Sequence, residues 1–144
     1  MAKTFTYSFE DTTVTISHPN VGNYSAYGTG IGQVSINYDG NVTSHAVAAD
    51  LAVVVSKFAV KNGSIEFQIL QSSDFNTWLK RWAKILERSS ASVFADTTIT
   101  ITNRSTGDSY VATGCSHQQM PSETFASEAQ TITWTIMAAN ITNS

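Results

Sequence analysis

Apolar and polar residues alternate one for one in run after run of this chain, and that period of two constrains its fold more than any other feature. Phe5, Tyr7 and Phe9 alternate with Thr4, Thr6 and Ser8, and Val14 and Ile16 follow after Glu10-Asp11-Thr12, which reads as a polar turn. The same pattern returns at Val34, Ile36 and Tyr38, at Ile65, Phe67 and Ile69, at Ile99 and Ile101, and at Ile132, Trp134 and Ile136. Successive side chains of a strand point to opposite faces, so each run predicts a strand with one face in a core and one outside it. Turn-forming residues separate the runs: Asn20 to Asn23, Asp39-Gly40-Asn41, Asn62-Gly63 and Thr106-Gly107-Asp108. Asp-Gly and Asn-Gly are hairpin signals. The polar partners are mostly hydroxyls. Thr and Ser number 19 and 18 of 144 residues, and threonine suits an exposed strand face.

One segment breaks the period. From Asp74 to Arg88 the apolar residues are Phe75, Trp78, Leu79, Trp82, Ile85 and Leu86, which fall on one face of an α-helix. Ser72 or Ser73 can cap its start, and Asp74 and Arg88 suit the two ends of the helix dipole. The tryptophans lie on the apolar stripe, so they read as core anchors. The opposite face carries Lys80, Arg81, Lys84 and Glu87, and is either plainly solvated or a docking face for an acidic partner. Neither a repeat nor a linker is visible. The expectation is therefore a single domain, 1–144, that is mainly β: a β-sandwich or barrel-like sheet with one flanking helix at about 74–88.

Ala46 to Val60 is apolar almost throughout, interrupted by Asp50. A strand buried on both faces has this composition, and so does a long hairpin arm that becomes covered only in an oligomer. Left exposed it would be an aggregation-prone edge. On the second reading Asp50, Leu51, Val53, Val54 and Val55 are subunit-interface residues.

Charge narrows the functional classes. Charged residues make up 13% of the chain, against a usual share of about 25%. A surface so poorly charged is weakly protected against association, which suggests that partners cover part of it. The net charge of −3 lacks the basic footprint of a nucleic-acid binder. No apolar run approaches the ~18 residues of a membrane helix, and the alternating start is unlike a secretion signal, so neither membrane insertion nor secretion is expected. Cys115 is the sole cysteine, and reads as a small buried thiol. His18, next to Pro19, reads as a turn residue. His18, His45 and His117 share no metal-ligand spacing. Gly28-Thr29-Gly30-Ile31-Gly32 lacks the spacing of a phosphate loop and leads into a strand. No catalytic residue, cofactor or metal site is expected. One alternative remains from the residues alone: a ligand- or carbohydrate-binding β-sandwich module, with Tyr24, Tyr27, Tyr38 and Trp134 as a stacking surface.

Several stretches together resemble the tail tube proteins of contractile-tailed bacteriophages. They are Thr6-Tyr7-Ser8-Phe9 with the strand Asp11-Thr12-Thr13-Val14-Thr15-Ile16, and the glycine run leading into Val34-Ser35-Ile36. The apolar arm follows, then Lys61-Asn62-Gly63-Ser64-Ile65-Glu66-Phe67-Gln68-Ile69-Leu70-Gln71-Ser72-Ser73 entering the helix. The tubes of type VI secretion and R-type bacteriocins are similar. The resemblance implies a structural protein whose six copies close a ring, with rings stacked into a hollow tube through which genomic DNA passes unbound. It implies sheath, baseplate and tail terminator proteins as partners, and a place in the virion tail after assembly in the host cytoplasm. Period two then leaves Ser64, Glu66 and Gln68 off the core, with Asn37 and Asp39 by the same alternation. Glu66, Gln68 and Asp39 are thus lumen candidates, and Lys80, Arg81 and Lys84 are expected on the tube exterior.

Overall fold

The computed structural model describes residues 12–26, 31–59, 61–128 and 130–143. The alternating run Phe5 to Phe9, the Glu10-Asp11 pair, Tyr27 and Gly28 to Gly30 lie outside these residues. Among the described residues there are nine strands and two helices. They are β1 (Thr12–His18), β2 (Gly22–Ala26), β3 (Ile31–Tyr38), β4 (Thr43–Val47), β5 (Val53–Lys57), β6 (Gly63–Leu70), α1 (Asp74–Arg88), α2 (Ala91–Phe94), β7 (Thr97–Asn103), β8 (Asp108–His117) and β9 (Thr131–Asn143).

Seven strands form one antiparallel sheet in the order β2-β1-β7-β8-β9-β6-β3, and β4 and β5 pair only with each other. The period of two is realised strand by strand. Val14 and Ile16 of β1, Ile99 and Ile101 of β7, Ile65, Phe67 and Ile69 of β6, and Ile132, Trp134 and Ile136 of β9 are buried on one face. The sheet curls into a half-barrel around this face: Thr12 of β1 and Val34 and Ile36 of β3, from its two sides, border one cleft with Ile101 and Tyr110.

Helix α1 closes the core. It begins and ends where its apolar stripe does. The Ser73 hydroxyl accepts the Asn76 backbone N–H at 3.2 Å, and Asp74 and Arg88 occupy the first and last turns. Phe75, Leu79, Trp82, Ala83 and Leu86 are buried against the sheet. Two indoles reach across it to polar partners: Trp82 Nε1 donates to Thr97 Oγ1 at 2.9 Å, and Trp134 Nε1 to Asn76 Oδ1 at 3.0 Å. Buried N–H groups need such partners, since an unpaired one keeps its full desolvation cost.

Several expectations need correction. Thr12 opens strand β1 instead of closing a turn. His18 is a buried strand end: its Nδ1 accepts the Asn20 N–H at 3.1 Å, so its Nε2 carries the proton donated to the Val93 carbonyl at 2.9 Å. That carbonyl belongs to α2, too short to leave a periodic signal. Asn62-Gly63 is no hairpin turn. Gly63 opens β6 opposite Tyr38, and a Cβ there would lie 2.0 Å from the Asn37 carbonyl oxygen, so glycine is required by close backbone approach. Asp39-Gly40-Asn41 likewise leads out into the arm instead of turning back.

Candidate functional site

Three exposed surfaces stand out among the described residues. Among the described residues no group of three or more His, Cys, Asp or Glu side chains is placed to hold a metal. Cys115 is fully buried, and burial pushes its thiol up to about 12, which removes it as a nucleophile at neutral pH. His117 is also buried, with Nε2 3.0 Å from Glu87 Oε1 and its ring against Trp82 and Phe94. Of the stacking residues of the binding-module alternative, Tyr38 is exposed and Tyr27 lies outside the described residues. Trp134 is fully buried, and Tyr24 lies on Phe75 with ring centroids 5.3 Å apart. Burial, and then the nearby Asp74 carboxylate, raise the Tyr24 hydroxyl above its usual range.

The first surface is the arm between β3 and β6. Its root is zipped by the Asp39 N–H donating to the Asn62 carbonyl at 3.1 Å and the Asn62 side-chain amide donating to the Asp39 carboxylate at 3.1 Å. Further out, β4 pairs with β5 from Thr43 opposite Lys57 to Val47 opposite Val53. Every described residue from Asp39 to Ala59 is exposed, so this segment is a hairpin arm and not a strand buried in its own domain. Asp50, Leu51, Val53, Val54 and Val55 lie on its outer half. At the tip the Asp50 carboxylate accepts the Ala52 N–H at 3.1 Å, and Leu51 is left-handed, with φ 67°.

The second surface is the sheet face turned away from the core. Glu66 sits between Ser35 of β3 and Thr135 of β9, and Gln68 between Gln33 and Thr133. Across the sheet the same face continues through Thr98, Thr100, Thr102, Thr13 and Thr15. Among the described strand residues Glu66 is its one charged side chain. Asp39 continues the alternation just beyond β3, tied to Asn62. The third surface is the pair of edges: among the described residues no strand pairs with the outer side of β2 or of β3.

The three basic residues of the polar helix face differ in exposure. Arg81 and Lys84 are exposed, but Lys80 is partly covered by the 118–130 connection and forms an ion pair with Glu123 of that connection. Sequence reasoning also missed Met120 and Phe125 in this connection, 40% and 87% exposed. They stand in an aperiodic stretch, where pattern carries no information about exposure.

The family described as Bacteriophage PhiTE tail tube protein matches residues 4–144. The chain belongs to the PhiTE tail tube family. This tail tube protein therefore comes from a family of structural proteins of the phage tail. Nothing among curated proteins matches it. Its fold is similar to that of solved components of contractile injection systems. A chain of the sheath/tube terminator of the extracellular contractile injection system PVC aligns with TM-score 0.63 at 11% identity, over 99% of each chain. The tube terminating cap of the anti-feeding prophage aligns at 0.61 and 13%, over 100% of this chain and 94% of that one. A chain of the PVC sheath–tube complex aligns at 0.59 and 11%, over 97% and 92%. At such identities the likeness is one of fold. The mainly β tail-tube fold with one main helix and a hairpin arm stands as expected.

Proposed function

We propose that six copies of this tail tube protein close a ring, and that rings stack into a hollow tube that conducts phage DNA during ejection. One observation carries the reading: among the described residues the edge strands β2 and β3 each have an unpaired side, and an apolar arm is left exposed by its own domain. An unpaired edge is satisfied by a neighbour's strand. Closed rotational symmetry uses both edges of every copy, whereas an arm that leaves the domain needs a contact outside it. Asp50, Leu51, Val53, Val54 and Val55 are then interface residues.

Across the sheet from α1, the β3–β6–β9 part of the polar face lines the channel, with Glu66, Gln68 and Asp39. Its hydroxyls and carboxylates offer phosphate no counter-charge, so DNA displaces no counterions and slides. A net charge of −3 per copy has the same sign of effect. The helix then faces outward and presents Arg81 and Lys84, with Lys80 partly covered, to a sheath. A similar fold within a sheath–tube complex and others in a tube terminator and a baseplate support sheath, terminator and baseplate proteins as partners, in a virion tail assembled in the host cytoplasm.

The test is negative-stain microscopy of the purified protein with sedimentation at rising concentration. Six-fold rings and filaments with a central channel are expected. A monomer at all concentrations, without filaments, overturns the proposal.

A further inference from the structure

The two longest described strands, β8 and β9, change phase together. In β8 the core face is carried by Tyr110 and Ala112, then by Cys115 and His117, so the alternation slips by one residue between Ala112 and Cys115. In β9 it is carried by Ile132, Trp134, Ile136 and Ala138, then by Ile141, a slip of the same size. The registers locate the extra residues. Thr97 faces Cys115 and Ile99 faces Ala112, so Thr98 of β7 stands against both Thr113 and Gly114. Gly63 faces Ala138, yet the Ile141 N–H donates to the Lys61 carbonyl at 2.7 Å, so β9 also holds one residue more than its neighbour. Between β8 and β9 the register is constant, from Tyr110 opposite Asn143 to His117 opposite Ile136. The two bulges therefore lie side by side at one level of the sheet and form a crease.

Gly114 holds the crease. Its φ is +65°, and a Cβ there would lie 2.7 Å from the Ala139 Cβ. A left-handed residue is what one class of bulge requires, and glycine adopts it without strain. The crease also divides the sheet. On one side of it β9 pairs with β6 over Thr131–Ala138, and β6 with β3. On the other β8 pairs with β7 over Asp108–Ala112, with the Thr97–Cys115 pair beyond the crease, and β7 pairs with β1. Strands that turn a corner between two panels do so at bulges. The panels curl toward each other, so that Thr12 of β1 and Val34 and Ile36 of β3 border one cleft. The two edge strands belong to different panels, β2 to one and β3 to the other. The angle at the crease thus fixes the angle between the two unpaired edges. A ring of six turns about 60° from copy to copy, and it closes only if every copy supplies the same angle. A departure that the core of one domain absorbs is repeated by every copy around the ring.

We infer that Gly114 is a positioning residue for ring closure: its left-handed bulge in β8, beside that of β9, sets the angle between the β2 and β3 edges and with it the number of copies in a ring. This rests on the closed-ring reading and names what fixes its stoichiometry.

The test compares side chains at position 114 in full-length protein that carries Ala139→Gly, which removes the methyl that a Cβ at 114 would meet. Ala139→Gly alone should give the parent's rings. Adding Gly114→Asn should keep them, because asparagine tolerates a positive φ. Adding Gly114→Ala should leave a folded domain by circular dichroism. Its six-fold rings in negative-stain class averages should fall by about tenfold, the factor by which alanine is disfavoured in a left-handed conformation. Open arcs and rings of another copy number should take their place. Six-fold rings as abundant from Gly114→Ala as from Gly114→Asn overturn the inference. Equal loss of rings from both overturns it too, and so does a Gly114→Ala protein that does not fold, since the glycine then serves the domain and not its closure. A parent that forms no rings at all overturns the closed-ring reading, and this inference with it, before any variant is compared.

Discussion

Trp134 on β9 and Asn76 on α1 are joined inside the core by an indole N–H···O bond of 3.0 Å. The same Asn76 donates its side-chain amide to the Gln71 carbonyl at 2.9 Å and its backbone N–H to the Ser73 cap. One buried carboxamide thus ties the start of the helix to the middle of the sheet. Asn76→Ala should cost about 1–3 kcal/mol, because the indole N–H and the Gln71 carbonyl both lose their partner in a buried setting. Chemical denaturation of assembly-blocked protein reads this, and Trp134→Phe should recover part of the loss in a double-mutant cycle. An unchanged midpoint for Asn76→Ala sinks the claim.

Trp82 is fully buried and bonded to Thr97. Trp82→Ala should destabilise the domain by roughly 3–5 kcal/mol, through the cavity it leaves and the orphaned hydroxyl. A variant as stable as the parent would show that the stripe packs elsewhere.

The arm should separate folding from assembly. Val53→Asp with Val54→Asp places carboxylates at positions 54% and 56% exposed, so monomer stability should move by no more than about 0.5 kcal/mol. In an interface the same charges are desolvated at a cost of several kcal/mol. Microscopy should find folded protein without tubes. Normal tubes would remove the arm from the interface.

Glu66→Lys reverses the one charge among the described strand residues of the polar face. Tubes should still form, and their binding to free duplex DNA should rise as salt is lowered, since lysine releases counterions from phosphate. Filter binding at several salt concentrations reads the slope. Equal binding by parent and variant at low salt places Glu66 away from the channel.

Cys115 links core burial to pH. Its thiol is pushed from 9.0 to about 12 by burial, so between those values the unfolded chain loses a proton that the folded chain keeps. Stability from this group is complete below pH 9 and falls as pH rises towards 12. In the folded protein at pH 8 the thiol should resist alkylation until denaturant is added. Rapid labelling of native protein would contradict the burial.

Local periodicity determined much of this protein. The stripe from Phe75 to Leu86 with its serine cap set α1 to the residue. Alternation assigned Ile65, Phe67 and Ile69 to the core and Glu66 and Gln68 to the other face. Both rest on the geometry of a single element, 3.6 or 2 residues per repeat, and need no knowledge of neighbours. The tertiary structure alone decided whatever depends on residues distant in sequence. Ala46 to Val60 had the composition of a buried strand, yet its described part, 46–59, is exposed and carries a hairpin, because only the strand order shows that no described layer covers it. Asn62-Gly63 looked like a turn, yet the glycine answers to the backbone of Asn37. Lys80 lay on the polar side of its helix and still met Glu123, since a connection without periodic signal folds back over it. Trp134 alternates like any core residue, but its partner, Asn76, comes from a helix 58 positions away, and only packing brings the two together.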